Sequence, residues 1–344
     1  MRKRLRKKQG RGEFAALAFG VAYVLDDVRP LRALAADPSL RTKALHLFEV
    51  PGTIQYQVAQ VPGIRFLADA KFVGPNRPYG ALLSYLVKDG DDTSKVTIEV
   101  AGADGKLVRS FQGPAKAGIN RTAWDLSYDG PRRPAAGDTP SEFLPPGPPV
   151  LPGSYPIKIK YKGAESAGSV VVTADPRFQI ADADRRAKHD MLLVVRQRQN
   201  VAVEAVDRLN TAQKATDRVI EQLKAKTDTG SKALSLAAEE LKKKIRIVME
   251  QFNGPEDIQG FTDSPDAVVA RVSDVYGSLA SSWDGPTETQ RMAWRAAEPI
   301  LTRGLEAVNR LLTEDVARFR QRANAALVDV FPAADPLSVN WVKP

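Results

Sequence analysis

Few residues in this 344-residue chain are equipped for chemistry, and their types restrict what the protein can do. There is no cysteine, so the chain has no thiolate nucleophile, no cysteine-ligated zinc and no disulfide framework. Its two histidines, His46 and His189, lie far apart in the sequence, and neither sits near a nucleophile or ligand pattern; both read as surface or packing residues. No glycine-rich phosphate loop, His-Glu-x-x-His helix or Gly-x-Ser-x-Gly elbow occurs. Two acidic clusters remain, Asp89/Asp91/Asp92 and Asp182/Asp184. A carboxylate pair can hydrolyse a glycosidic bond, provided that the surroundings desolvate one member and raise its pKa. The first cluster reads as a solvated turn, and the second as a helix start, where aspartates complement the macrodipole. The sequence therefore nominates no catalytic, cofactor-binding or metal-ligating residue, and no cofactor.

The net charge of +9 would suggest a polyanion partner if it were spread over a face. It is not: Met1–Gly12 holds seven basic residues and no acidic one, so 9 − 7 leaves +2 for the rest. No specific nucleic-acid site is expected; association of the basic N-terminus with anionic surfaces or nucleic acid is the weaker alternative. Twelve uncharged residues follow, Phe14 to Leu25, ended by Asp26-Asp27. A basic run before an apolar one resembles a signal peptide, but two aspartates stand where a small-x-small cleavage site belongs. The stretch is too short to span a membrane, and no transmembrane span is expected. The third reading, a buried strand over Val21–Leu25 leading into a helix-like or irregular segment at Val28–Leu34, is preferred.

The elements that would position any site fall into two halves. From Phe48 the chain shows short β-prone runs separated by Gly, Pro and Asp, the texture of an antiparallel sandwich. The runs are Ala81–Val87, Val96–Val100, Leu107–Phe111, Gly118–Leu126 with Trp124 as core anchor, Gly153–Tyr161 and Ser169–Thr173. Asp104-Gly105 predicts a tight hairpin, and Pro156 predicts an edge or strand-start position. The Pro- and Gly-dense stretch between Gly130 and Pro152, including Leu144–Val150, reads as an exposed long loop. From Asp182 apolar residues recur at helical spacing in four segments. Leu192 to Leu223 mark the first. Leu234, Ala238, Leu241, Ile245, Val248 and Phe252 mark the second, Val268, Val272, Val275 and Leu279 the third, and Leu301, Leu305, Val308, Leu312 and Phe319 the fourth. Thr287 to Gln290 has the capping-box pattern, and Pro299 is expected to kink or restart its helix. The fold class expected is α+β multidomain: an immunoglobulin- or fibronectin-like antiparallel β-sandwich over residues 45–177, then an antiparallel helical bundle over 178–328. Residues 1–44 form a basic tail with a strand and linker, and 329–344 a C-terminal tail.

Four segments together resemble the C-terminal region of bacterial sortilin-type, BNR-repeat β-propeller proteins: Tyr23–Arg32, Gly118–Leu126, Leu151–Tyr155 and Ala174–Arg177. The resemblance covers nearly the whole chain after Val21. It implies that Val21–Leu25 closes a last propeller blade and lacks its blade neighbours here, that such proteins are commonly exported, and that any glycan-binding or catalytic role sits on the propeller. This chain departs from that pattern, having no Ser-x-Asp-x-Gly-x-Thr-Trp repeats and no room for a propeller. The expected function is a non-catalytic accessory or interaction module meeting a protein or glycan partner through sandwich loops. A glycan-acting hydrolase, as the family label would have it, is the alternative, recognisable by a cleft with two facing carboxylates. Oligomeric state stays open.

Overall fold

The computed structural model describes residues 14–18, 21–25, 27–56, 77–133, 147–255, 264, 266–326 and 336–342. The protein is a mixed α/β chain in two compact units, Met1–Asp129 with Pro149–Gln179, and Gly130–Pro148 with Ile180–Pro344.

In the first unit β1 (Phe14–Ala18) pairs antiparallel with β2 (Val21–Leu25). The strand expected to be unpaired thus has a partner, because the uncharged run is long enough to fold back on itself. Helix α1 (Arg29–Ala36) starts with Pro30, whose ring presets the helical φ and whose missing N–H costs nothing in the first turn. A three-stranded antiparallel sheet has the order β3 (Leu45–Leu47), β5 (Ala81–Val87), β8 (Gly118–Trp124), and curls rather than lying flat. A five-stranded sheet has the order β4 (Thr53–Ile54), β10 (Ala164–Thr173), β9 (Gly153–Tyr161), β6 (Lys95–Ala101), β7 (Leu107–Pro114).

Alternation explains which faces are buried: Val96, Ile98 and Val100 of β6 point the same way as Tyr155, Ile157, Ile159 and Tyr161 of β9 into one core. That core also takes Leu83, Tyr85 and Trp124 from the smaller sheet. Strand β5 is buried along its entire length, its second face being covered at Leu86 by Leu34 of α1, Leu40 and Phe48.

Two sequence expectations change here, and a third, the exposed loop between Gly130 and Pro152, falls mostly outside the described residues. The pairing is not purely antiparallel, since β4 joins β10 in parallel through Val172 and Thr173. Pro156 lies in an interior strand, opposite Ser169 of β10. Pairing of β9 with β6 runs only from Lys160 to Ile157 and stops where β6 bulges between Val100 and Ala101, so the absent N–H of Pro156 meets no ladder acceptor. The Gly130–Pro152 stretch is anchored at both described ends: Val150 lies in the sheet core, and the Arg132 side chain binds Glu204 at 3.0 Å and Asp207 at 2.6 Å. Residues 134–146 lie outside the described residues. The Asp104-Gly105 turn between β6 and β7 does form, with Gly105 at φ 75°.

The second unit contains α2 (Asp182–Leu223), α3 (Thr229–Asn253), α4 (Val268–Ala280), α5 (Glu288–Arg310) and α6 (Ala317–Ala325). Asp228 caps α3 by accepting from Ser231 N, and Thr287 and Gln290 form the capping box of α5. Helix α5 continues through Pro299 without a restart; Pro299 and Arg295, whose carbonyl loses its partner, are both exposed to solvent. The irregularity comes later, as a π-helical turn over Leu311–Val316 that runs into α6. That turn moves the apolar stripe from the expected Leu312 onto Leu311 and then Val316, five residues on, before it resumes at Phe319 and Ala323. In α3 the buried position is Met249, with Val248 only half-buried. Most of these side chains share one core, while Leu192, Val195, Val272, Val275, Leu279 and Ala297 form a second. Within the described residues 336–342 two side chains hold the backbone. Asn309 clamps both backbone groups of Leu337 at 2.8 Å, and Arg198 donates to Val339 O at 2.5 Å.

Candidate functional site

The acidic clusters lie at the β5–β6 connection and at the start of α2. Asp91 accepts from the backbone and hydroxyl groups of Thr93 and Ser94, which hold its carboxyl well below the usual range; Asp92 meets Lys116 at 2.9 Å. Asp182 and Asp184 occupy the first turn of α2. A Cβ on Gly285 would come within 2.8 Å of Asp184 Oδ1, so glycine is what lets the α4–α5 connection approach that turn. Lys188, buried on the same helix, donates to the carbonyl and hydroxyl oxygens of Ser282 in that connection. His46 packs edge-on against Phe48, and burial followed by the nearby Lys43 lowers its pKa; His189 meets Asp190 at 3.2 Å.

One cleft of about 330 Å³ opens in the helical unit, with Ile300, Gly304 and Val268 among its walls. Its carboxylates are Glu250, 3.7 Å from Arg246, and Asp266, whose side chain is 89% exposed and 3.5 Å from Arg271. Neither is withdrawn from solvent as a general acid requires.

The best-formed polar constellation lies at one end of the β-sheets. Gly80, just before β5, has φ 103°, and a Cβ there would sit 2.0 Å from Trp124 O. That close approach brings Tyr79 beside Asp125, the residue after β8. Thr53 of β4 donates to Gly80 O at 3.1 Å, carrying Tyr56 to the same place. Tyr56 and Tyr79 meet edge-to-face with ring centroids 5.0 Å apart. Burial, then the charge of Asp125, then Tyr56 push the Tyr79 phenol up to about 12, so it remains a hydroxyl across the neutral range.

Asp125 binds Arg109 of β7. Arg109 Nη1 donates to Asp125 Oδ1 at 2.6 Å and to Ser127 Oγ at 2.9 Å, and its Nε lies 3.5 Å from Asp129. Ser127 Oγ donates to the same Asp125 oxygen at 2.7 Å, and Trp124 Nε1 donates to Ser127 O at 3.0 Å. Leu126, at φ 60°, turns the chain so that Asp125 stays outside while Leu126 enters the core. Among the described residues Asp125 Oδ2 and Arg109 Nη2 make no hydrogen bond, which leaves one acceptor and one donor on the pair.

Sequence reading singled out none of Tyr56, Tyr79, Arg109 or Asp125 as functional. They come from four separate segments, and only the Trp124-Asp125-Leu126 run, read as a strand end, hinted at one of them. Among the described residues no group of three or more His, Cys, Asp or Glu side chains is arranged to hold a metal ion. Among those residues, too, no helix is long and apolar enough to cross a membrane. No protein-family model matches the chain, and no curated protein matches it.

Proposed function

We propose that the chain is a non-catalytic accessory or interaction module of the kind that follows a sortilin-type, BNR-repeat propeller. It is an immunoglobulin-like sandwich joined to a helical bundle, and it meets its partner through loops at one end of the sheets. The observation that carries this reading is the Tyr56–Tyr79–Asp125–Arg109 constellation. Aromatic rings beside a half-exposed charged pair are binding chemistry. Asp125 and Asp129 both face Arg109, rather than facing each other across a gap that a scissile bond would fill.

The test is to incubate the purified chain with a panel of chromogenic glycosides and polysaccharides and to measure released chromophore and reducing ends. The expected result is no turnover above buffer. Turnover that is lost in Glu250→Gln or Asp125→Asn would replace this reading with the hydrolase. Translating the DNA upstream of Met1 tests the family part of the reading, which expects repeated Asp-box blades there.

A further inference from the structure

We infer that the end of the sheets bearing Tyr56, Tyr79, Asp125 and Arg109 is a subsite for a neutral, hydroxyl-rich saccharide. This rests on the interaction-module reading above and names its ligand. The inference starts from what the four side chains offer together. A pyranose presents an apolar C–H face and a rim of vicinal hydroxyls, each both donor and acceptor. Tyr56, 39% exposed, supplies a rigid aromatic surface that costs little conformational entropy to use. Tyr79 supports its ring from the side at 5.0 Å, so the platform is held before any ligand arrives.

Beside Tyr79 stands the Asp125–Arg109 pair. Its free Oδ2 accepts and its free Nη2 donates, which matches two adjacent hydroxyls, one giving its proton to the carboxylate and its neighbour receiving one from the guanidinium. The pair is already fixed by Ser127, which binds both partners, and by the Trp124 indole behind Ser127. Binding therefore does not have to order these groups.

Charge selects among saccharides. The open acceptor is Asp125 Oδ2, so a uronate or sulfated sugar seated on it would meet a like charge, whereas a neutral one would not. A protein partner is less well matched, since the group offers one exposed aromatic ring and a single donor–acceptor pair in place of the large desolvated anchor on which protein interfaces depend.

The test is isothermal titration calorimetry of the full chain with gluco-, xylo- and manno-oligosaccharides, and with oligogalacturonate, in about 0.3 M NaCl to screen the basic N-terminus. At least one neutral series is expected to bind and oligogalacturonate to bind more weakly. Tyr56→Ala and Asp125→Asn are each expected to lower affinity about tenfold or more. Lys106→Ala, in the Gly105 turn, is expected to bind as the parent does. Thermal unfolding of Tyr56→Ala, a truncation at an exposed position, checks that loss of binding is not loss of fold.

Binding by no neutral series overturns the inference, as does tighter binding of oligogalacturonate, or parental affinity in both variants. The release of reducing ends from a saccharide that binds would instead overturn the non-catalytic reading and leave the saccharide subsite standing. The two failures are thus distinct.

Discussion

The aromatic hydroxyls of the sheet unit are buried for structural reasons and carry a pH liability with them. Tyr155 Oη donates to Leu151 O at 2.6 Å, and burial pushes its pKa up to about 12, with Tyr128 adding to the shift. Above pH 10 the unfolded chain gives up this proton while the folded chain keeps it. The folded state then binds more protons, and stability falls as pH rises from 10 to 12. The contribution that is full below pH 10 and lost by pH 12 is about 1–3 kcal/mol for Tyr155. Tyr155→Phe is expected to lower stability by about 1 kcal/mol at pH 8, from the lost hydrogen bond, and to lose less between pH 9 and 11 than the parent. Urea midpoints at pH 8, 9 and 11 measure both effects. Residue identity alone foretold little of this: Trp124 reads as a core anchor in the sequence, and the structure buries it, but the path from its indole through Ser127 to Asp125 depends on where Leu126 turns.

Among the elements, two glycines at positive φ separate conformational need from packing need. Gly105, at φ 75° in the β6–β7 turn, has open space around the position a Cβ would take. Gly105→Ala is expected to cost about 1 kcal/mol, for the left-handed backbone alone. Gly80→Ala adds a collision with Trp124 O to its strain, and is expected to cost on the order of 3 kcal/mol or more, or to prevent folding. Chemical denaturation of the two variants gives the comparison; near-equal losses would mean that the β5–β8 junction is looser than described.

The π-helical turn over Leu311–Val316 has the spacing of one residue inserted into a helix. Thr313 stands on its exposed side and donates its hydroxyl to Asn309 O. Its deletion is expected to restore a regular α-helix and to shift the thermal midpoint by no more than a few degrees, since Val316, Phe319 and Ala323 then follow Leu311 at ordinary helical steps. Circular dichroism at 222 nm with a thermal melt checks this, and collapse of the melt would show that the bulge itself is needed, for instance to hold Asn309 on Leu337. Sequence periodicity found all four helical segments, because a stripe is a local property. It missed the bulge because an inserted residue alters phase only against a partner surface.

At the scale of the whole molecule, charge is the property most easily read and most easily misread. Seven of the nine excess positive charges fall within Met1–Gly12. Retention on heparin or DNA resins is therefore expected to be salt-sensitive and to disappear on deletion of residues 1–12, which step elution of the two forms measures. Retention that survives the deletion would place a basic surface on the body of the protein.

The sequence by itself determined the succession of short strands followed by long helices, the Gly105 hairpin, the capping box of α5 and the local origin of the charge. These depend on residues within a few positions of one another. Only the tertiary structure decided that Phe14–Ala18 pairs with Val21–Leu25, that β4 joins β10 in parallel, and that Pro156 fits an interior strand. Each of those depends on which neighbour a backbone N–H finds, and a chain does not spell that out along its length. The Tyr56–Tyr79–Asp125–Arg109 group belongs to the same class. Its members stand up to 69 positions apart, and the approach of Gly80 to Trp124, the Thr53–Gly80 hydrogen bond and the Arg109–Asp125 pair bring them together.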